Sequence, residues 1–287
     1  ASFFFLYEFV IQISPSVMAE ELMRDFKIGA AGLGTISGAY YITYTLMQVP
    51  VGLLYDRFGP RRLLCFACLF CAMGAFIFGM TENVAAAAFG RMLMGLGSAF
   101  AFTGCLFLIA RWFPSKHFAL MAGCVMVMGS MGSVVGETPL AQAVNDFGWR
   151  ETIHFIAYVG FFLSILIFFI VRDSPANGFH PKHTQAGEWK RLKQVLKNKQ
   201  SWLVALYAMT SWAPILILPA LYGVLFLTTK YAMSTTDAST AMTMAWIGIA
   251  VGSPSIGWLS DRIGRRVILL GICSCLGLLS ISAVLYM

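Results

Sequence analysis

Nine long apolar stretches set what this chain can become: 1–20, 31–55, 63–80, 84–110, 118–143, 151–172, 201–228, 237–259 and 266–287. Each comes near the ~20 residues an α-helix needs to cross the hydrocarbon core of a bilayer. A strand of a membrane barrel would be about half that length and would alternate polar with apolar residues. Residues 153–171 run on without that alternation. The chain is therefore expected to be an all-α membrane protein. Its charge content agrees, since only 11% of the 287 residues are charged and 59% are hydrophobic. Soluble domains carry roughly 25% charge, so a water-soluble enzyme is excluded, and so is a disordered chain.

The basic residues orient the spans. With the connection after the second stretch placed in the cytoplasm, fifteen Lys and Arg fall on inner connections. The outer connections hold four: Arg24, Lys27, Arg150 and Lys230. Lys and Arg are retained on the cytoplasmic side, so the N-terminus is expected inside. This distribution also accounts for the net charge of +7 without a nucleic-acid partner. The longest polar stretch, 173–200, is rich in Lys, with Pro175 and Pro181. It reads as a cytoplasmic linker between a six-helix bundle, 1–172, and a partial second bundle of three helices, 201–287.

A repeated segment is the most specific signal. Gly52-Leu-Leu-Tyr-Asp56-Arg57-Phe-Gly59-Pro60-Arg61-Arg62 follows the second stretch, and Gly257-Trp-Leu-Ser-Asp261-Arg262-Ile-Gly264-Arg265-Arg266 follows the eighth. Gly52 and Gly257 permit close helix approach, the aspartates can cap a helix or pair with Arg, and Gly59 and Gly264 suit the positive φ of a tight turn. Two copies in corresponding places predict two parallel halves, an arrangement found in transporters.

These segments resemble the signature loop of the major facilitator superfamily, Gly-x-x-x-Asp-Arg-x-Gly-Arg-Arg. The second copy matches throughout; the first has Pro60 where a basic residue is usual. Arg91-x-x-x-Gly95-x-Gly97 and Gly148-Trp149-Arg150 are similar to further family motifs. The resemblance implies two six-helix bundles around a cavity that opens to either side in turn. It implies gating roles for both loops and a contact between Asp56 and Arg111. It also implies twelve helices, so about three more spans of ~20 residues are expected beyond the nine, and the sequence reads as truncated after the ninth.

Three formal charges lie inside predicted spans: Glu8, Arg91 and Glu137. An intramembrane charge costs at least ~2.5–3.5 kcal/mol even on insertion scales, so each should face a cavity or a partner. From the helical rise, Arg91 and Glu137 lie at similar depths, roughly 10 Å in from the outer side, and Glu8 lies deeper. The expectation is an Arg91–Glu137 pair, with Arg91 turning toward Glu8 as the other arrangement. Gln12 stands one turn from Glu8 on the same face. Tyr207 and Trp212 sit in a stretch broken by Pro214 and Pro219, and such breaks often line transporter binding sites. Tyr40, Tyr41 and Tyr44 suit either the cavity wall or the outer aromatic belt.

The seven cysteines fall in apolar runs and read as packing. No metal site, nucleophile motif or phosphate loop is recognised, so neither a cofactor nor ATP is expected. The reading is a single-chain secondary transporter of the bacterial inner membrane, contacting lipid and a small-molecule substrate. Proton-coupled uptake of a small polar nutrient (an organic anion, amino acid or peptide) is the expectation. Multidrug export in exchange for protons is the alternative, and a transport-inactive sensor or scaffold is a third.

Overall fold

The computed structural model describes residues 1–173, 194–217, 226–227, 230–233, 235–264 and 266–286. Among these residues the regular elements are all helical. In chain order they are α1 (Ser2–Val17), α2 (Ala19–Phe26), α3 (Ala30–Phe58), α4 (Pro60–Met80), α5 (Val84–Trp112), a 3-10 turn (Ser115–His117), α6 (Phe118–Phe147), α7 (Trp149–Ile170), α8 (Lys199–Ile217), α9 (Thr235–Ile263) and α10 (Arg266–Tyr286). Eight of the nine apolar stretches are helical within a few residues of their expected ends; of the stretch 201–228, the helix Lys199–Ile217 is described and residues 218–225 lie outside the described residues.

The first stretch is bent. It was expected to run to residue 20, but α1 stops at Val17, and α2 leaves it at 63°. Pro15 lies in the last turn of α1, where its ring removes a backbone donor and crowds the preceding turn. α2 is amphipathic, burying Leu22 and Phe26 while Glu20 and Arg24 stay outside. Among the described residues, five other helices are long and apolar enough to cross a bilayer by themselves: α4, α5, α6 with its leading turn, α7 and Thr240–Ile263 of α9. α3, at 29 residues, has the length for a crossing, but its Gly, Thr, Tyr and Gln residues dilute its apolar character.

Packing is pairwise. α4 and α3 each lie along α5, α7 lies along α4, and α1 and α9 both lie along α6. α4 and α5 meet with their backbones almost touching: a Cβ on Gly74 would stand 2.5 Å from the Gly90 carbonyl oxygen. Without a hydrophobic driving force in lipid, such close small-residue contacts hold membrane helices together. Phe155, Phe162 and Phe169 repeat every seven residues on α7 and are exposed, which gives that helix an apolar face toward lipid. The opposite face buries Ile153, Ile156, Ala157 and Ile167.

Candidate functional site

Glu8, Arg91 and Tyr40 meet inside the first group of helices. Glu8 on α1 is 2% exposed and Arg91 on α5 is 1% exposed. The Tyr40 hydroxyl on α3 donates to Glu8 Oε1 at 2.6 Å. The Arg91 guanidinium stands 4.8 Å above the centroid of the same ring. The acid and the base therefore meet through a tyrosine, not directly. Arg91 Nη1 also donates to the Ile11 carbonyl at 2.9 Å and approaches Met94 Sδ at 3.4 Å. Its Nε and Nη2 are buried without a partner. A buried cation with donors left over is costly, and the aromatic face offsets only part of that, about 2 kcal/mol when desolvated.

Helix spacing explains the meeting. Tyr40 lies ten residues in from the N-terminal end of α3 and Glu8 nine from the C-terminal end of α1, so both sit roughly 14 Å along their helices from those ends. Gly95 lets α3 and α5 touch, since a Cβ there would stand 2.1 Å from the Tyr40 carbonyl oxygen. Tyr44 lies parallel to Tyr40 at 5.9 Å and Tyr41 edge-on at 5.2 Å. Gln12 is half-buried one turn from Glu8 and lies beside Tyr41. Sequence reasoning undervalued Tyr40, although its depth matches that of Glu8.

The expected Arg91–Glu137 pair is not formed. Glu137 on α6 faces α9 instead, accepting from Trp246 Nε1 at 3.0 Å and Thr243 Oγ1 at 3.1 Å. Position along a helix says nothing of which way a side chain points. Arg91 faces α1 and α3, while Glu137 lies on the side of α6 turned to α9. Trp246, 2% exposed, also meets Phe9 of α1 edge-on at 6.1 Å. Tyr207 donates to the Leu270 carbonyl at 3.3 Å, which joins α8 to α10, and Trp212 is 38% exposed. Neither touches the Glu8 cluster. Pro219 lies outside the described residues.

The two signature loops hold different partners. Gly59 and Gly264 have φ of 78° and 70°. After Gly59, the Arg61 amide donates to Asp173 Oδ1 at 2.8 Å, capping the start of α4. Arg61 Nε donates to the Phe168 carbonyl at 2.7 Å. Arg111 Nη1 donates to the Asp173 carbonyl at 3.3 Å. The expected Asp56–Arg111 contact is absent among the described residues: Asp56 is exposed, and Asp173, the first residue past the predicted bundle, occupies Arg111. In the second copy, Asp261 Oδ2 accepts from the Leu120 amide of α6 at 2.9 Å. Gly257 permits this approach, because a Cβ there would stand 2.5 Å from the Ala119 carbonyl oxygen. Gly52 has open space around it, Arg57 lies over Phe58 and Arg262 over Trp258. Arg265 lies outside the described residues.

Where α2 meets α7, Asp25 accepts from Trp149 Nε1 at 2.9 Å and from Arg150. These bonds, the one from Trp149 foremost, hold its carboxyl below the ordinary aspartate value. The cysteine stripe of α4 is packed, as expected: Cys65 meets Ser164 Oγ, and Cys68 and Cys71 donate to the carbonyls of Gly160 and Met94.

Long apolar helices packed through glycines, with ionisable groups held inside, define a multi-pass integral membrane protein. The family model of the Major Facilitator Superfamily matches residues 1–287, and the chain belongs to that family. It is 22% identical over 279 residues to a probable sulfoacetate transporter of Cupriavidus necator, covering 90% of this chain and 63% of the relative. It is 22% identical to a probable galactarate/D-glucarate transporter of Escherichia coli, covering 87% of this chain and 62% of that protein. It is 24% identical to a multidrug resistance protein of Mycobacterium tuberculosis, covering 92% and 59%. The chain thus spans about three fifths of the length of these relatives. Its fold matches a bacterial homologue of the human lysosomal transporter Spinster, solved inward-facing and unoccupied, with a TM-score of 0.67 at 15% identity over 92% of this chain and 62% of that one.

Proposed function

We propose that this chain belongs to a secondary active transporter that moves a small organic anion together with protons by alternating access. Residues 1–172 form one bundle and 201–287 part of a second, joined by a cytoplasmic linker at 173–200. The N-terminus lies inside and the membrane is the bacterial inner membrane, a reading supported by the basic residues on the inner connections. Arg91 carries the substrate reading. Its unpaired Nε and Nη2 are two donors in a planar fork, the shape that grips a carboxylate or sulfonate. Glu8 is the carboxylate that loads and releases the proton, because it is sealed from water and held by one neutral hydroxyl. The names of the sulfoacetate and galactarate/glucarate relatives agree with an anionic substrate. The likeness to a multidrug resistance protein supports export as the second reading, but a buried arginine is poorly matched to apolar drugs.

The test is flux in proteoliposomes containing the full-length protein. D-glucarate and sulfoacetate uptake should follow an imposed inward proton gradient and fall at least ~100-fold in Arg91→Ala, the scale of losing a hydrogen-bonded charge contact. Drug efflux without any organic-anion uptake would overturn the substrate reading.

A further inference from the structure

Tyr40 does two things at once in this site. Its hydroxyl is spent on Glu8 Oε1 at 2.6 Å, and its ring lies under the Arg91 guanidinium at 4.8 Å. It is fully buried, with Tyr44 parallel to it and Tyr41 edge-on. Behind it, Arg91 Nε and Nη2 have no partner and no solvent. The side chain that ties the acid is thus the one that covers the base.

We propose that Tyr40 couples the two: tied to ionised Glu8 it covers Arg91, and once Glu8 takes up a proton it swings aside and exposes the two free donors to a small organic anion. This rests on the transport reading above and names how its proton and substrate are linked. The proton goes onto a carboxylate oxygen of Glu8, and no other bond is made or broken except hydrogen bonds. An ionised carboxylate holds a phenol more strongly than a neutral carboxyl does, so protonation loosens the tie. The other ionisable groups facing Glu8 are Tyr41 and Tyr44 from α3 and Cys71 from α4, with Arg91 beyond Tyr40 on α5. None of them is a second carboxylate, so Glu8 is the group that titrates. The exposed side of the cluster carries Tyr41 and half-buried Tyr44 and Gln12, which gives the moving ring polar neighbours.

The test needs no knowledge of the substrate. Phenylglyoxal labels accessible arginines, and mass spectrometry of the full-length protein reads labelling at Arg91 relative to exposed Arg62, which corrects for the pH dependence of the reagent. In the wild type the ratio should rise about tenfold from alkaline to acid buffer, the size of one charge-assisted hydrogen bond. Glu8→Gln and Tyr40→Phe, both conservative in shape, should each give a high ratio at either pH. A ratio that still rises with acid in Tyr40→Phe, or that stays low in Glu8→Gln, overturns the proposal. D-glucarate added to Glu8→Gln should slow labelling at Arg91. If it does not, while the ratios behave as stated, the switch stands and the anion reading falls.

Discussion

Asp261→Ala should loosen the α6–α9 contact at its Leu120 end by an amount the structure sets. Asp261 Oδ2 accepts the Leu120 amide at 2.9 Å, and Leu120 is the third residue of α6. The first four amides of a helix have no partner within it, so this carboxylate caps α6 from another helix. Loss of a capping side chain costs about 0.5–2 kcal/mol. The charge at the positive end of the helix adds roughly 0.3–1 kcal/mol, which overlaps in part with the first figure. A total near 1.5–2 kcal/mol corresponds to about a 10- to 30-fold change in an opening equilibrium. Hydrogen–deuterium exchange in detergent should therefore show the Leu120 amide exchanging about 10- to 30-fold faster in Asp261→Ala. Asp261→Asn, which keeps an acceptor and loses the charge, should fall between. Asp56→Ala is the matched control: Asp56 is exposed, and a comparable surface group contributes ~0–1 kcal/mol, so exchange at Leu120 should not move. Unchanged Leu120 exchange in Asp261→Ala would refute the cap.

Gly95→Ala should lower the thermal midpoint in detergent, because its Cβ has only 2.1 Å to the Tyr40 carbonyl oxygen; overpacking of this kind costs about 1–3 kcal/mol. Gly34→Ala, with nothing within 4 Å, should leave the midpoint in place, and equal behaviour of the two variants would count against the packing argument. Glu137→Ala and Trp246→Phe should be non-additive by about 1 kcal/mol in chemical unfolding, the value of a bond to a charged group reduced by partial exposure; full additivity would mean that the contact contributes nothing. Asp25 is held below its ordinary value by Trp149 and Arg150. Its stabilising contribution is therefore present above the unfolded pKa of about 3.9 and is lost as pH falls through the lower folded value. Asp25→Asn should flatten the acid side of the stability curve below about pH 4, and an identical acid limb in the variant would remove Asp25 from the α2–α7 contact.

The helices were legible because apolar length is a local property, and 84–110 or 118–143 can be read without knowing any neighbour. Helix ends were legible where one residue decides them, as at Gly59 and Gly264, both at positive φ. The bend at Val17 was less so, because Pro15 alone does not state whether a helix kinks or stops. The site was legible as a set of residues but not as a set of contacts. Distance along a helix placed Glu8 and Arg91 near enough to share Tyr40, but it put Glu137 beside Arg91, and the structure does not. Facing is set by which glycines let which helices approach, and Gly95 brings Tyr40, not Glu137, to Arg91. Asp173 was not legible at all, since its partners at Arg61 and Arg111 are distant in sequence and its own neighbourhood is an ordinary polar stretch.

The α6–α9 contact is fixed near both of its ends by acids that come from opposite helices. Asp261 of α9 takes an amide of α6, and Glu137 of α6 takes two side-chain donors of α9. The two points lie about 25 Å apart along α6, from a rise of ~1.5 Å per residue. Two points fix a line, and a line allows rotation while forbidding translation. A slide of one helical turn, ~5.4 Å, would break both attachments together, whereas rolling about the line strains each only slightly. Relative movement of α6 and α9 along this seam is thus held to rolling rather than sliding, as in a door hung on two pins.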